Sequence, residues 1–258
     1  MPTDRGPHAS AAQAAGDGAP REEAERRLAE VERALAAGTY RPGGWERFLA
    51  AAADLGEDRR ASLADAVTRV SDALHRRKGA RTLGFERALA AEILAAVGGL
   101  LVLAAGAASG SAALLVVAAV VLGTALQPLL KVAAGLALGL GYSYAYLWRG
   151  EPRFKLAYGR YLALPVRRRV LFHLAGTLGS PLAWLLVGTV ALASHPLLGH
   201  VLLGLTAAHL VFQAGVFALA LAGRRRLPGL GVLRLTSPGA AADELRRLRA
   251  PAARRSAP

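Results

Sequence analysis

The chain has 258 residues, 53% of them hydrophobic and 19% charged, with a formal charge of +14 at neutral pH and no cysteine. A soluble globular domain carries about 25% charged residues. Without cysteine there is no disulfide framework, no thiolate metal site and no thiol nucleophile.

The charge is segregated. Only Glu92 and Lys131 are charged between residues 88 and 148, and residues 170–223 hold no Asp, Glu, Lys or Arg. Apolar stretches of 18 or more residues with so few charges read as bilayer spans. Residues 1–87 carry 15 Lys/Arg against 14 Asp/Glu; residues 149–169 carry 7 against 1, and residues 223–258 carry 9 against 2. The positive excess flanks the apolar blocks, which is the distribution that orients membrane spans, and no nucleic-acid partner is expected. The fold class these features predict is all-α: a polytopic membrane protein with four transmembrane helices as two helical hairpins, preceded by a small cytoplasmic helical region. The heavy use of Ala, Arg and Gly matches a GC-rich bacterial genome, so the membrane expected is a bacterial inner (plasma) membrane.

Residues 1–20, rich in Ala, Gly and Pro, lack the apolar core of a signal peptide and read as a disordered tail. Residues 21–84 read as cytoplasmic amphipathic helices. Ala24, Leu28, Val31 and Leu35 form a narrow apolar seam over 21–37, stopped by Gly38 and Arg-Pro-Gly-Gly at 41–44. Two further helices are expected over 45–55 and 58–77, the second with Leu63, Val67, Val70 and Leu74 on one face.

Residues 85–148 read as the first transmembrane hairpin, with spans at about 88–108 and from about 112. The second span ends either near Lys131 or at the Tyr142, Tyr144, Tyr146, Trp148 cluster, which has the look of an interfacial aromatic belt. A helix from 112 to 148 would be about 54 Å long, beyond a ~30 Å hydrocarbon core. Pro128, Gly135, Gly139 and Gly141 are the places to bend or break it, and Gly135 with Gly139 makes a GxxxG pair that lets helices approach closely. Splitting the block into three spans would leave basic segments on the outer side, so charge favours four spans overall.

Residues 149–169 form a basic cytoplasmic loop. Phe154, Tyr158 and Tyr161 share a helical face, so the segment is either an interfacial helix or an ordinary orienting loop. Candidate contacts to anionic lipid headgroups are Arg153, Lys155, Arg160, Arg167, Arg168 and Arg169. Residues 170–223 read as the second hairpin, with spans at about 170–194 and 197–222 and a kink near Gly176, Gly179 and Pro181. Residues 224–258 read as a basic, mostly disordered cytoplasmic tail with a short helix near 240–249. The N- and C-termini are both expected in the cytoplasm.

Chemistry is sparse. Glu92 and Lys131 are the ionisable residues within spans and form a candidate intramembrane pair. Thr124, Gln127 and Lys131 line one helical face, as do Thr206, His209 and Gln213; such stripes line a solute path or cross-link helices. The histidines are too scattered for a metal site: His173 and His195 are about 33 Å apart along a straight helix. HExxH, GxSxG and P-loop motifs are absent, and no cofactor is expected.

These features lead to a non-catalytic membrane protein that assembles, anchors or adapts other components. Its basic loop would contact anionic membrane lipid, and residues 21–77 would contact another membrane or cytoplasmic protein. Two alternatives are a small-solute transporter or channel using the polar stripes, and an intramembrane lipid-modifying enzyme using Glu92 and the histidines.

Overall fold

A computed structural model describes residues 8–77, 79, 81–148, 151–224, 226–227, 231–232 and 236–249. The chain is mostly helical, at 77%. Four helical segments are long and apolar enough to cross a membrane: Phe85–Ser109, Ala112–Ala137, Val166–Ala191 and Pro196–Leu221. The chain divides into two compact units. One comprises Met1–Arg81 with Leu156–Leu164, the other Thr82–Lys155 with Pro165–Pro258.

The first unit contains α1 (His8–Ala36), α2 (Gly44–Ala53), α3 (Glu57–Ser62) and α4 (Ala64–Arg76). Helix α1 begins within the stretch expected to be a disordered tail, where alanine is frequent and alanine has the highest helix propensity. Ala24, Leu28 and Val31 on its apolar seam are buried. Its other faces carry pairs one turn apart: Arg21–Glu25 at 2.7 Å, Arg27–Glu23 at 2.8 Å and Arg26–Glu30 at 3.1 Å. The Arg26 and Arg27 guanidiniums hold the Glu23 carboxyl below the usual carboxylate range. Helix α2 contributes Phe48 and Ala52 to the core, and α4 contributes Val67 and Val70.

The segment from the central basic loop completes this unit. It contains α7 (Tyr158–Ala163), numbered for its place in the chain, which packs against α3 and α4. Tyr161 and Leu162 are buried, and Tyr158 lies 5.8 Å from the Trp45 ring and 5.6 Å from Tyr161. The Gly159 amide donates to Thr68 Oγ1 at 3.0 Å, and a Cβ at Gly159 would overlap the Ala64 carbonyl. Tyr158 and Tyr161 are thus core residues of a helical unit, and no single helix carries them together with Phe154.

The second unit opens with β1 (Thr82–Leu83) and then α5 (Phe85–Ser109) and α6 (Ala112–Ala137). Gly110 ends α5 in a left-handed conformation (φ 62°) that favours glycine. Ser111 then caps α6 by accepting from the Leu114 amide at 3.4 Å. At its other end α6 stops where Gly139 takes φ 78° and the Leu140 amide returns to the Gly135 carbonyl. The Tyr142–Trp148 cluster is therefore not a helical extension of the second span. It is strand β2 (Tyr142–Trp148), hydrogen-bonded to β3 (Glu151–Leu156) on one side and to β1 on the other, with Thr82 opposite Tyr146 and Leu83 opposite Ala145. Phe85, Tyr142 and Phe154 make an aromatic cluster, with Tyr142 stacked on Phe85 at 5.3 Å and Phe154 edge-on at 5.6 Å.

The third apolar segment is broken into α8 (Val166–Ala175) and α9 (Gly179–Ala191), with a turn at 176–178; α10 (Pro196–Leu221) follows. The short strands β4 (Arg226–Leu227) and β5 (Gly231–Val232) pair antiparallel. They precede α11 (Ser237–Arg249), which packs against α8 and α10, with Ala242 against Val216 and Ala220. The short helix expected near 240–249 runs over Ser237–Arg249 and is docked.

The long apolar helices stand in a row: α5 on α6, α6 on α9, α9 on α10. In the seams between them, glycines make room for buried Leu115, Leu122 and Leu202, with Leu103 and Val187 buried in the same cluster. A Cβ at Gly99 would come within 2.8 Å of Leu122, one at Gly123 within 2.9 Å of the Trp184 indole nitrogen, and one at Gly199 within 2.9 Å of the Gly188 carbonyl. Outward, the row presents large apolar side chains such as Leu94, Leu101, Leu197 and Val211, all about two-thirds exposed or more. A soluble protein rarely exposes apolar patches of this extent, whereas a bilayer requires them.

If α7 is a structural part of the N-terminal unit, Gly159→Ala should force α7 off α4. We expect a loss of roughly 1–3 kcal/mol, the usual cost of overpacking. Limited proteolysis should then cut near residues 156–164 in the variant and leave them intact in the wild-type protein.

Candidate functional site

The ionisable and polar residues of the apolar helices come together only in part. Glu92 is buried on α5. Lys131, on α6, directs its ammonium at the Phe172 ring, 5.4 Å from the centroid, and its stem lies against Gly176 at the break of the third segment. Among the described residues Lys131 forms no ion pair with Glu92. The Lys131 carbonyl accepts from the Tyr142 hydroxyl at 3.0 Å, and burial pushes that phenol well above its ordinary pKa, so it stays a neutral donor. The candidate GxxxG pair is likewise divided. A Cβ at Gly135 would overlap the Tyr142 hydroxyl and lie 3.2 Å from Phe172, while Gly139 serves the turn that ends α6.

The two polar stripes do not face one another across a shared lumen. Thr124 and Gln127 lie on the exposed side of α6. Thr124 Oγ1 donates to its own helix, to the Val120 and Val121 carbonyls at 3.1 and 3.0 Å. Thr206 is buried and does the same, donating to the Leu202 carbonyl at 2.9 Å. The Gln213 amide donates to His209 Nε2 at 3.0 Å, and the His209 ring meets Trp184 edge-on at 5.4 Å. Thr124, Thr206 and Gln213 thus each spend a donor within their own helix.

His173, His195 and His200 make local contacts. His195 Nε2 lies 2.7 Å from the Gly110 carbonyl, tying the α9–α10 turn to the α5–α6 turn, and His200 Nδ1 lies 2.7 Å from the Pro196 carbonyl. His173 stands edge-on to Phe172 at 5.3 Å. Among the described residues no group of three or more His, Asp or Glu could hold a metal ion.

The six basic loop residues separate in the structure. Arg153, Arg160, Arg167 and Arg168 are exposed and Lys155 is half-buried. Arg169 is different: its side chain is only 3% exposed, and its guanidinium pairs with Glu244 of α11 at 2.9 Å. A buried, paired guanidinium is not a headgroup contact. Glu244 is the residue that reading the sequence passed over. The signal was there, because Asp243 and Glu244 are the only acids among nine basic residues of the final segment.

Removing one partner of a buried ion pair leaves an uncompensated charge and costs roughly 3–5 kcal/mol, more than removing both. Arg169→Met and Glu244→Leu should therefore each lower the thermal stability of the purified protein strongly. The double variant should regain a large part of the loss, and strict additivity would show that the two do not act as a pair.

The chain matches no protein-family model, no curated protein and no solved structure.

Proposed function

We propose that this is a non-catalytic membrane protein that holds a helical unit at the cytoplasmic face of the plasma membrane, where it anchors or adapts a partner. The observation that carries this reading is the make-up of the first unit. Its helices come from residues up to Arg81, and its last helix, α7, comes from the segment between the second and third apolar helices. A unit assembled from both must lie wholly on one side of the bilayer. It is then tethered by three chain crossings, which suits a module whose place at the membrane matters.

The same geometry supports two hairpins. If α5 leaves the side of the first unit and α6 returns to it, α8–α9 leaves and α10 returns. The two far turns then share a side, in keeping with the contact between His195 and Gly110. Neither of these turns contains Lys or Arg. The side bearing the basic segments is the cytoplasmic one by the positive-inside rule. Against transport, the stripe residues are spent on their own helices or face outward, and the seams between helices are closed by glycine and alanine.

Topology gives the first test. Single cysteines are clean reporters in a chain that has none. Ser109→Cys and Ser194→Cys should react with an impermeant maleimide from outside, and Ala73→Cys and Arg160→Cys only after permeabilisation. Outside labelling at Arg160 would overturn the reading, since α7 would then lie across the bilayer from the N-terminal helices.

Lipid gives the second. We expect Arg153, Arg160, Arg167 and Arg168, all exposed, to meet anionic headgroups, each worth about 1 kcal/mol near a charged surface. Protein extracted with its native lipid should be enriched in anionic over zwitterionic species. Replacing all four arginines by Gln should remove most of that enrichment, and an unchanged lipid complement would leave the loop with an orienting role only.

A further inference from the structure

The polar stripe of α6 is on the wrong side for a solute path, and its position calls for a different occupant. Val117, Val120, Thr124 and Gln127 follow one another at steps of three and four on a single face, Val116 stands one turn before Val120, and all five are exposed. Such a face is a seam with the spacing of a helix–helix contact. Cytoplasmic to it, at Lys131, the seam is covered by α8 through Phe172 and Gly176. From Val116 to Gln127 nothing among the described residues covers it.

Gln127 makes this exposure costly. It lies beside the break of the third segment, where a Cβ at Gly179 would overlap the Gln127 backbone, and it is about ten residues from the cytoplasmic end of α6. At 1.5 Å per residue that places it within about 4 Å of the midpoint of α6, well inside a ~30 Å hydrocarbon core. Among the described residues its side-chain amide makes no hydrogen bond. Thr124 can satisfy its one hydroxyl on its own helix, but an amide with two donors and an acceptor finds no water in hydrocarbon. Polar side chains in spans face protein for this reason.

We infer that the exposed α6 face from Val116 to Gln127 is the interface with a second copy of this chain, with the two Gln127 amides bonded to each other. The choice of occupant follows from complementarity. An amide carries donor and acceptor together, so two related by a twofold axis satisfy each other, as an isologous contact demands. A lone amide, unlike a carboxylate or an ammonium, needs no partner of different chemistry. The flanking valines are β-branched, lose little side-chain freedom on packing, and suit a close two-helix seam. This inference rests on the membrane-spanning reading of α6.

The test uses single cysteines at one depth on three faces. Val120 lies on the seam, while Leu101 of α5 and Leu205 of α10 are exposed on other helices. All three are eight or nine residues from the far turns. In membranes washed with alkaline carbonate, oxidation should link Val120→Cys into a dimer of twice the chain mass, and link Leu101→Cys and Leu205→Cys weakly. Adding Gln127→Leu should lower the Val120 cross-link by roughly tenfold, and Gln127→Asn should keep most of it. Equal linkage on all three faces, indifference to Gln127→Leu, or linkage to a product of another mass would each overturn the dimer. Loss of the chain into the carbonate wash would instead overturn the membrane reading beneath it.

Discussion

In hydrocarbon, helices gain nothing from hiding apolar side chains from one another, because lipid tails are as apolar as leucine. What holds them is close packing, and close packing requires that backbones approach. That constraint explains the glycines and alanines in the seams. Gly99 admits Leu122, Gly123 admits Trp184, and Gly188 and Gly199 admit each other's helices. Many large residues face outward, Ile93, Leu94, Leu100 and Leu101 of α5 among them, while Leu115 and Leu122 fill the space the glycines leave. The chain is thus apolar on its exposed face as well as in its seams.

The same constraint governs the break in the third segment. Ending a helix inside an apolar region leaves carbonyls and amides without partners, at a cost of several kcal/mol for each. Here the cost is met locally. Thr177 Oγ1 donates to the Leu174 carbonyl at 2.7 Å, and Ser180 Oγ donates across to the Gly123 carbonyl of α6 at 2.7 Å. The Thr177 and Leu178 amides turn back on Leu174 and Ala175. Pro181, in the first turn of α9, removes one amide that would otherwise need a partner. The break is tolerated because polar residues were placed at it.

The apolar helices were legible in the sequence because length and hydropathy report directly on a bilayer. The break near Gly176 was legible because Gly and Pro mark it whatever the tertiary context. Other features were not, for specific reasons. Tyr142, Tyr144, Tyr146 and Trp148 recur every second residue, which is a strand period, yet beside a long apolar helix the aromatic content outweighed the spacing. Phe154, Tyr158 and Tyr161 share a helical face on paper, but Ala157 interrupts the run with a non-helical backbone (φ −65°, ψ 89°), so the three divide between a strand and a helix. Stripes such as Thr124–Gln127 fix only which residues share a face. Whether that face is turned inward depends on which neighbours α6 acquires, and nothing local encodes that.

Glu244 shows what such non-local facts decide. Taken alone, Arg169 is one more cation in a basic loop, and loop cations set topology or meet lipid. Pairing it with a carboxylate more than seventy residues away buries both and fixes α11 against α8. An ion pair so desolvated contributes little net stability over an apolar pair of similar volume. What it supplies is position: a helix of small residues such as Ala241 and Ala242 slides readily on an apolar neighbour, and a buried charge permits one register only. Because α8 is cut from α9 by the break, it lacks the rigidity of a continuous span. Held by α11 on one side and by Lys131 packed against Phe172 on another, α8 is set in place by its neighbours, and the C-terminal helix is therefore part of what completes the third segment.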